Sequence, residues 1–560
     1  MLRRAKIVAT VGPSSSDIKV LEKMIKAGLD VARVNMSHGT YEGHSEMIAK
    51  IRQASANVGK EVAILLDLQG PKIRVDKLPT PLVLQEDEEW VIAPSSKAAN
   101  YPEYAGRLIP TIYENLVEDC HDGARILFDD GLMKAIAVSR DRDVYKIKIE
   151  VGGTLKSNKG INLPDCEVSA PAFTDKDRDD LMFGLKQQID YIALSFVRKR
   201  EDVMLVKSLL HKLRMNIPII SKIEKPQAID AIDEIIKVSD AIMVARGDMG
   251  VEVGNHLVPS IQKLIINKCN AAMIPVITAT QMLESMTENP TPTRAEASDV
   301  ANAIWDGTDA VMLSGETAAG KWPVQTIKMM EEIVIEAERT PKERPFLRKM
   351  DLSNVNAAVM VAASMISEKV EGKFILSMTE SGSSCRKISM FRPKTPVLGV
   401  TNSVGTARRM CLNWGVRPFQ IHEYGRDDFN FQKDVVNKVK SAMGLQNGDK
   451  IVITRGDGKF FARGSSNSVK VEIIKDMPKV LGSSDVVEEA SDYQKKIQLD
   501  TSICASCQNC ISTCPHDIWG ISPENEHQTI INKDKISACA MDMACVEACP
   551  TGAIEIMPLT

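Results

Sequence analysis

IPIISKIEKPQAIDAIDEIIKVSDAIMVARGDMG, residues 217–250, sets two short apolar runs on either side of one amphipathic stretch. IPIISKI (217–223) and AIMVARG (241–247) are continuously hydrophobic rather than alternating, the pattern of strands buried on both faces. Between them, PQAIDAIDEIIKV (226–238) spaces its apolar residues as a helix does. Strand, crossover helix and strand make a βαβ unit whose strands both end on charge: Lys222 and Glu224, then Arg246 and Asp248.

The same unit recurs outward in both directions. KIVATVG (6–12), VARVNMS (31–37), VAILLDL (62–68), YIALSFV (191–197), IPVITAT (274–280) and AVMLSGE (310–316) bring the buried runs to eight, interleaved with helical segments such as DIKVLEKMIKAG (17–28) and REDVMLVKSLLHKL (200–213). Eightfold alternation predicts an α/β fold, a TIM (β/α)8 barrel over 1–70 and 171–345. Arg33, Asn35 and Ser37, Asp67, Thr280, and Ser314 with Glu316 gather at the C-terminal ends of further runs, where this fold builds its active site.

The excursion over 71–170 carries short segments such as RILFDDG and VYKIKIEV and predicts a small β-barrel domain inserted at the catalytic face as a lid. Residues 346–478 return to helix and strand (VNAAVMVAASMISEKV, FILSMT, PVLGVT, KIVITRG), an α/β effector or oligomerisation domain. The polar, weakly patterned 479–499 reads as a linker, and 500–560 as a separate cysteine-rich tail.

At 560 residues several domains are expected. A net charge of -4 with interspersed signs gives no footprint for nucleic acid or an anionic membrane, so neither is expected as a partner. The apolar stretch at the N-terminus is too short for a signal-peptide core and no run approaches a membrane span, which points to the cytoplasm. Seven of twelve cysteines follow residue 500; Cys120, Cys166, Cys269, Cys385 and Cys411 are scattered and read as reduced packing residues.

Glu224 and Asp248 end neighbouring strands, so two carboxylates can meet around one hard divalent cation such as Mg²⁺. Lys222 points to the same side of its strand as Glu224, and with Arg33 would neutralise a phosphoryl group in transfer. The chain resembles the pyruvate kinase family in long, ordered matches: KIVATVGPSS (6–15), ARVNMSHGTYEGH (32–44), LDLQGPKIR (66–74), GGTLKSNKGINLP (152–164), SFVRKREDV (195–203), ISKIEKP (220–226), IMVARGDMGVEV (242–253), TATQMLESM (278–286) and PTRAEASDVANAIWDGTDAVMLSGETAAG (292–320).

That resemblance implies ATP and pyruvate formation from phosphoenolpyruvate and ADP. It implies that Arg33 and Lys222 contact the transferring phosphoryl group, and that Gly247, Asp248 and Thr280 hold the substrate carboxylate at a helix start. Thr280 and Ser314 would help protonate the enolate, and Arg74, His38 and Lys159 would meet the nucleotide. Relatives that use K⁺ hold it with residues matching Asn35, Ser37 and Asp67 and carry glutamate at the position of Lys72. The lysine here resembles the branch in which an ammonium replaces the ion, so K⁺ is not expected to be required. TESGSS (379–384), with Thr379, Ser381, Gly382, Ser383 and Ser384, resembles the family's effector phosphate loop and would take a sugar-phosphate or nucleotide effector. A homotetramer is implied as well.

CASCQNCISTCP (504–515) is C-x2-C-x2-C-x3-C-P, the bacterial ferredoxin run in which the fourth cysteine serves the other cluster. CAMDMACVEACP (539–550) keeps that spacing with aspartate in place of one cysteine. The crossover rule assigns Cys504, Cys507, Cys510 and Cys549 to one iron-sulfur cluster. It assigns Cys514, Cys539, Asp542 and Cys545 to a second, four-iron or three-iron, in which the carboxylate is a hard ligand for an iron easily lost. The tail reads as a redox sensor or a dock for a redox partner protein; in the alternative, the chain is an electron carrier with the kinase body as scaffold.

Overall fold

The computed structural model describes residues 3–340, 355–421, 431–456 and 466–474, and in the tail 487–492, 495–500, 504, 507, 509–521, 523, 529–539, 541, 544–549 and 552–558. Two compact units result: Met1–Val439 with Lys450–Glu472, and Lys440–Asp449 with Ile473–Thr560.

All eight predicted runs form strands: β1 (Lys6–Thr10), β2 (Val31–Asn35), β3 (Ala63–Asp67), β4 (Tyr191–Leu194), β5 (Ile219–Ile223), β6 (Ala241–Ala245), β7 (Val276–Ala279) and β8 (Ala310–Leu313). They pair in parallel, each with its chain neighbour, and β1 pairs with β8 to close the barrel. Alternation of side chains explains why these runs are apolar throughout. Ile7, Ala9, Ile64, Leu66, Ile242 and Val244 pack outward against the helices, while Val8, Val31, Ala63, Leu65, Ile220, Met243 and Ile277 fill the interior. Both sets are fully buried, and each large side chain among them stabilises the fold by about 1.5–3 kcal/mol.

The same parity positions the site. Counting in twos from Val31, Leu65, Ala193, Ile220 and Met312 reaches Arg33, Asp67, Ser195, Lys222, Glu224 and Ser314, so inward-facing positions at the barrel mouth carry the charge. Crossover helices start on conventional caps. Asp17 accepts from Lys19 N at 2.9 Å, and Thr293 and Glu296 form a capping box ahead of Arg294–Asp306, which ends on Gly307 at φ 100°. Each such cap stabilises its helix by about 1 kcal/mol.

Between β3 and β4, a six-stranded sheet and a two-stranded ribbon (Leu82–Leu84 with Gly153–Leu155) enclose their own core around Ile92, Ile126, Phe128 and Ile147. After the barrel, Val416–Gln420, Val397–Thr401, Phe374–Met378, Lys450–Gly456 and Ser466–Ile473 lie in that order in one sheet. Lys6 Nζ donates to Val416 O at 2.6 Å, and a buried Arg392–Asp309 pair at 2.8 Å ties this domain to the N-terminal end of the barrel.

The tail corrects one expectation. Residues 479–499 are not all linker: Val487–Ser491 and Lys495–Asp500 are antiparallel strands, joined on the far side by Ile554–Pro558. Lys495, Ile497 and Leu499 point inward while Lys496 and Gln498 do not, so the run alternates as a half-buried strand, and its charged residues disguised it. The earlier part of that expected linker, 479–486, lies outside the described residues. A hairpin of Trp519–Ile521 with Thr529–Ile531 and two short helices, Asn509–Thr513 and Ala544–Ala548, complete an α+β ferredoxin-like tail.

Candidate functional site

At the barrel mouth four strands converge on Asp67. Its Oδ2 accepts from Arg33 Nε at 2.7 Å, and its Oδ1 lies 3.3 Å from Lys222 Nζ. Burial pushes this carboxyl up, but Lys222 and Arg33 outweigh it and hold Asp67 below its usual range. Lys222 in turn donates to Ser195 Oγ at 2.7 Å and stands 3.0 Å from Glu224 Oε1. Burial alone would lower the lysine; the Asp67 and Glu224 carboxylates reverse that and raise it above its ordinary value, so it stays charged at neutral pH.

Glu224 is fully buried. Phe196 N donates to its Oε2 at 2.7 Å, whereas Oε1 has the Lys222 ammonium nearby but no aligned hydrogen-bond donor among the described residues. Burial first, then the nearby Asp248 carboxylate, push Glu224 upward against the pull of Lys222. Asp248, half-buried in the first turn of the helix Arg246–Val253, thus faces Glu224 as a like charge. Two neighbouring carboxylates that repel each other suit a hard divalent ion and fit Mg²⁺.

The helix start is buttressed by a strained turn. Thr280 and Gln281 adopt φ of 70° and 53°, a left-handed conformation that a β-branched threonine rarely takes. Thr280 Oγ1 accepts from Gly247 N at 2.7 Å and donates to Ala279 O at 2.6 Å. Arg246 fixes the turn by donating to Thr280 O at 2.7 Å while paired with Asp299. Ser314 Oγ is buried without a partner among the described residues, at the end of β8.

Other expected site residues lie apart. Ser37 N donates to Asn35 Oδ1, but Asp67 is engaged by Arg33 and Lys222. Lys72 runs beside Gly160, its Nζ 4.0 Å from where a Cβ there would stand, and does not join Asp67. Arg74 donates to Asn158 O, Lys159 pairs with Asp129 at 2.8 Å inside the inserted domain, and His38 is exposed. Sequence reasoning gave no role to Ser195, Phe196 or Arg246; their signal was position, since Ser195 and Arg246 directly follow the last residue of a barrel strand and Phe196 comes next after Ser195.

Thr379 Oγ1 accepts from Gly382 N at 2.9 Å, closing the turn that opens the helix Ser383–Met390. A cavity of about 390 Å³ is lined by Ser381, Gly382, Ser383, Arg386 and Arg409, with Tyr191 and Asp240 across it from the barrel. Ser384 turns away from it to bond Ser466.

In the tail the cysteines sort into two neighbourhoods. Cys504 and Cys549 lie near Cys510, while Cys514 and Cys539 lie near Cys545. Ala553 N donates to Cys549 Sγ at 3.3 Å, and buried Trp519 lies against the Cys545 thiol. Among the described residues the candidate donors are cysteine sulfurs, the soft ligands that iron-sulfur clusters use. Asp542 lies outside the described residues.

Comparison with known proteins agrees with both units. Residues 2–327 match the pyruvate kinase barrel domain, 357–472 the pyruvate kinase alpha/beta domain, and 496–550 a 4Fe-4S dicluster domain. The chain is 43% identical to the pyruvate kinase of Staphylococcus saprophyticus, over 88% of this chain and 86% of the relative. It is 41% identical to that of Geobacillus stearothermophilus, over 85% and 81%. A buried lysine flanked by carboxylates at the mouth of an eight-stranded barrel, an appended α/β domain and these matches establish that the chain belongs to the pyruvate kinase family, with a 4Fe-4S dicluster domain at its C-terminal end.

Proposed function

We propose that this chain transfers the phosphoryl group of phosphoenolpyruvate to ADP, using Lys222 and Arg33 as fixed cations and Glu224 with Asp248 as the Mg²⁺ ligands. The observation that carries it is the Lys222 ammonium held between Asp67 and Glu224 beside Asp248. Mg²⁺ supplies charge neutralisation on phosphoryl oxygens. Arg33 and Lys222, locked by Asp67, present their charge without reorganising as the phosphoryl group moves. The Gly247–Asp248 helix start and Thr280 receive the substrate carboxylate. Ser314, with a free buried hydroxyl, and Thr280 orient the proton that completes pyruvate. The inserted domain closes over this site and brings Lys159 and Arg74 to the nucleotide, with His38 on the barrel side.

K⁺ independence rests on the family resemblance at Lys72 and is supported by the charge at Asp67, both of whose oxygens face a side-chain cation. A lactate-dehydrogenase-coupled assay of the full chain in Na⁺- and K⁺-free buffer is expected to give full activity with Mg²⁺ alone. An absence of activity with or without K⁺ would reject the kinase reading, and a strong K⁺ requirement only the independence.

The cavity beside TESGSS supports an effector carrying a phosphate, a sugar phosphate or nucleotide, with Arg386 as a cation for it. In the tail, Cys504, Cys507, Cys510 and Cys549 would hold one cluster; Cys514, Cys539, Cys545 and Asp542 the other, as the two neighbourhoods favour. The clusters supply one-electron chemistry, and we assign the tail a redox-sensing or docking role. Among the described residues no helix is long and apolar enough to cross a membrane. A cytoplasmic homotetramer rests on family resemblance.

A further inference from the structure

Two of the five scattered cysteines are not isolated. Cys120 closes the short helix Leu116–Asp119 of the inserted domain, and Cys166 lies near that domain's return to the barrel; both are buried in the same core. The flanking residues bring them face to face. Ser169 N donates to Asp119 Oδ2 at 2.7 Å, and His121 Nε2 stands 3.1 Å from Asp165 O, so the two segments run antiparallel with the cysteines between these contacts. Arg125 adds a bidentate pair with Asp165 at 2.9 and 2.7 Å. These contacts set the two thiols beside each other in one core, and their mutual interaction is the first cause that moves Cys120 up.

We propose that Cys120 and Cys166 are a redox modification site, oxidised by a hydroperoxide to a disulfide that fastens the inserted domain's return segment to its body. Cys166, next to Asp165 whose carbonyl the His121 ring meets, is the attacking thiol. Its thiolate attacks the outer peroxide oxygen, the O–O bond breaks, and the departing alkoxide or hydroxide takes a proton, leaving a sulfenic acid. Cys120 loses its proton and attacks the Cys166 sulfur; the S–S bond forms and hydroxide leaves as water. Two thiols and one hydroperoxide thus yield one disulfide, one alcohol or water, and one further water.

Access is shallow. Cys120 is 8% and Cys166 3% exposed, and His121, Asp165 and Glu167 beside them are exposed, so one layer of side chains separates the pair from solvent. Cys269 and Cys385, by contrast, are fully buried without a thiol neighbour among the described residues, and burial raises both. Reversible thiol pairs of this kind are compatible with a reducing compartment when they act as sensors.

The fastened segment bears on the domain's movement. Arg198, just after β4, donates to Val168 O and, at 2.7 Å, to Ala170 O, so the stretch that leaves Cys166 is also the stretch gripped by the barrel. Oxidation stiffens one end of that connection.

The test treats the full chain with hydrogen peroxide, alkylates free thiols and maps unreduced peptides. A Cys120–Cys166 cross-linked peptide that disappears with dithiothreitol is expected, with Cys269 and Cys385 alkylated as thiols under denaturant. Recovery of Cys120 and Cys166 as separate thiols or separate sulfinic acids overturns the proposal. This readout stands whether or not the chain is a kinase. Because peroxide also attacks iron-sulfur clusters, activity is compared with Cys166→Ser treated identically. A dithiothreitol-reversible loss of about twofold or more in the wild type alone is expected; equal responses would overturn the link to domain movement.

Discussion

Lys222→Met is expected to lower kcat by about 10³- to 10⁵-fold while KM for phosphoenolpyruvate changes far less. The size follows from what surrounds the ammonium. Lys222 is held by Ser195 Oγ at 2.7 Å, Glu224 at 3.0 Å and Asp67 at 3.3 Å, so its position is fixed before substrate arrives. A fixed charge that meets negative charge developing in the transition state acts on kcat rather than on ground-state binding. Removing it also leaves Asp67 and Glu224 buried with fewer counter-charges. A broken buried pair costs about 3–5 kcal/mol, a loss that Arg33 offsets in part through its bond to Asp67. A thermal melt therefore accompanies the kinetics. A folded variant within tenfold of wild-type kcat would remove Lys222 from the mechanism.

Stripping iron with a chelator under reducing, anaerobic conditions is expected to unfold the tail and leave phosphoryl transfer intact. The tail core is small: Ile497, Leu499, Ile518, Trp519, Ile531, Ile536, Ile554 and Ile556, with Cys510 and Cys545 among them and further cysteines packed against it. A domain of that size rarely folds on its core alone, and cross-links through iron are its staples. The pyruvate kinase domains have separate cores and no cysteine with ligand spacing, so they lose no iron, and Mg²⁺ is restored in the assay. Limited proteolysis should cut the stripped protein after residue 474 and leave a stable fragment, with coupled activity within about twofold of the start. Loss of activity in step with iron would mean that the clusters serve the kinase directly.

The barrel was legible because its strands are buried on both faces, so each run is apolar without interruption and ends abruptly on charge. The strand Lys495–Asp500 was not, because one face is wet and its lysines look like linker. Lys222 and Glu224 could be placed together from strand parity, and Asp248 from its place just past the end of the neighbouring strand. That Asp67 would be taken by both Arg33 and Lys222, leaving Lys72 beside Gly160, depends on side-chain reach across the mouth, which no local spacing encodes. The contact between Cys120 and Cys166 is likewise invisible in sequence, since it forms only when the inserted domain folds its ends together.

The divalent ion proposed at Glu224 and Asp248 anchors the phosphoryl-transfer mechanism, and Mn²⁺ binding followed by electron paramagnetic resonance tests it most directly. One tight Mn²⁺ per chain, displaced by Mg²⁺ and lost in Glu224→Gln with Asp248→Asn, is the predicted result. Undiminished binding in that double variant, with kcat preserved, would contradict it.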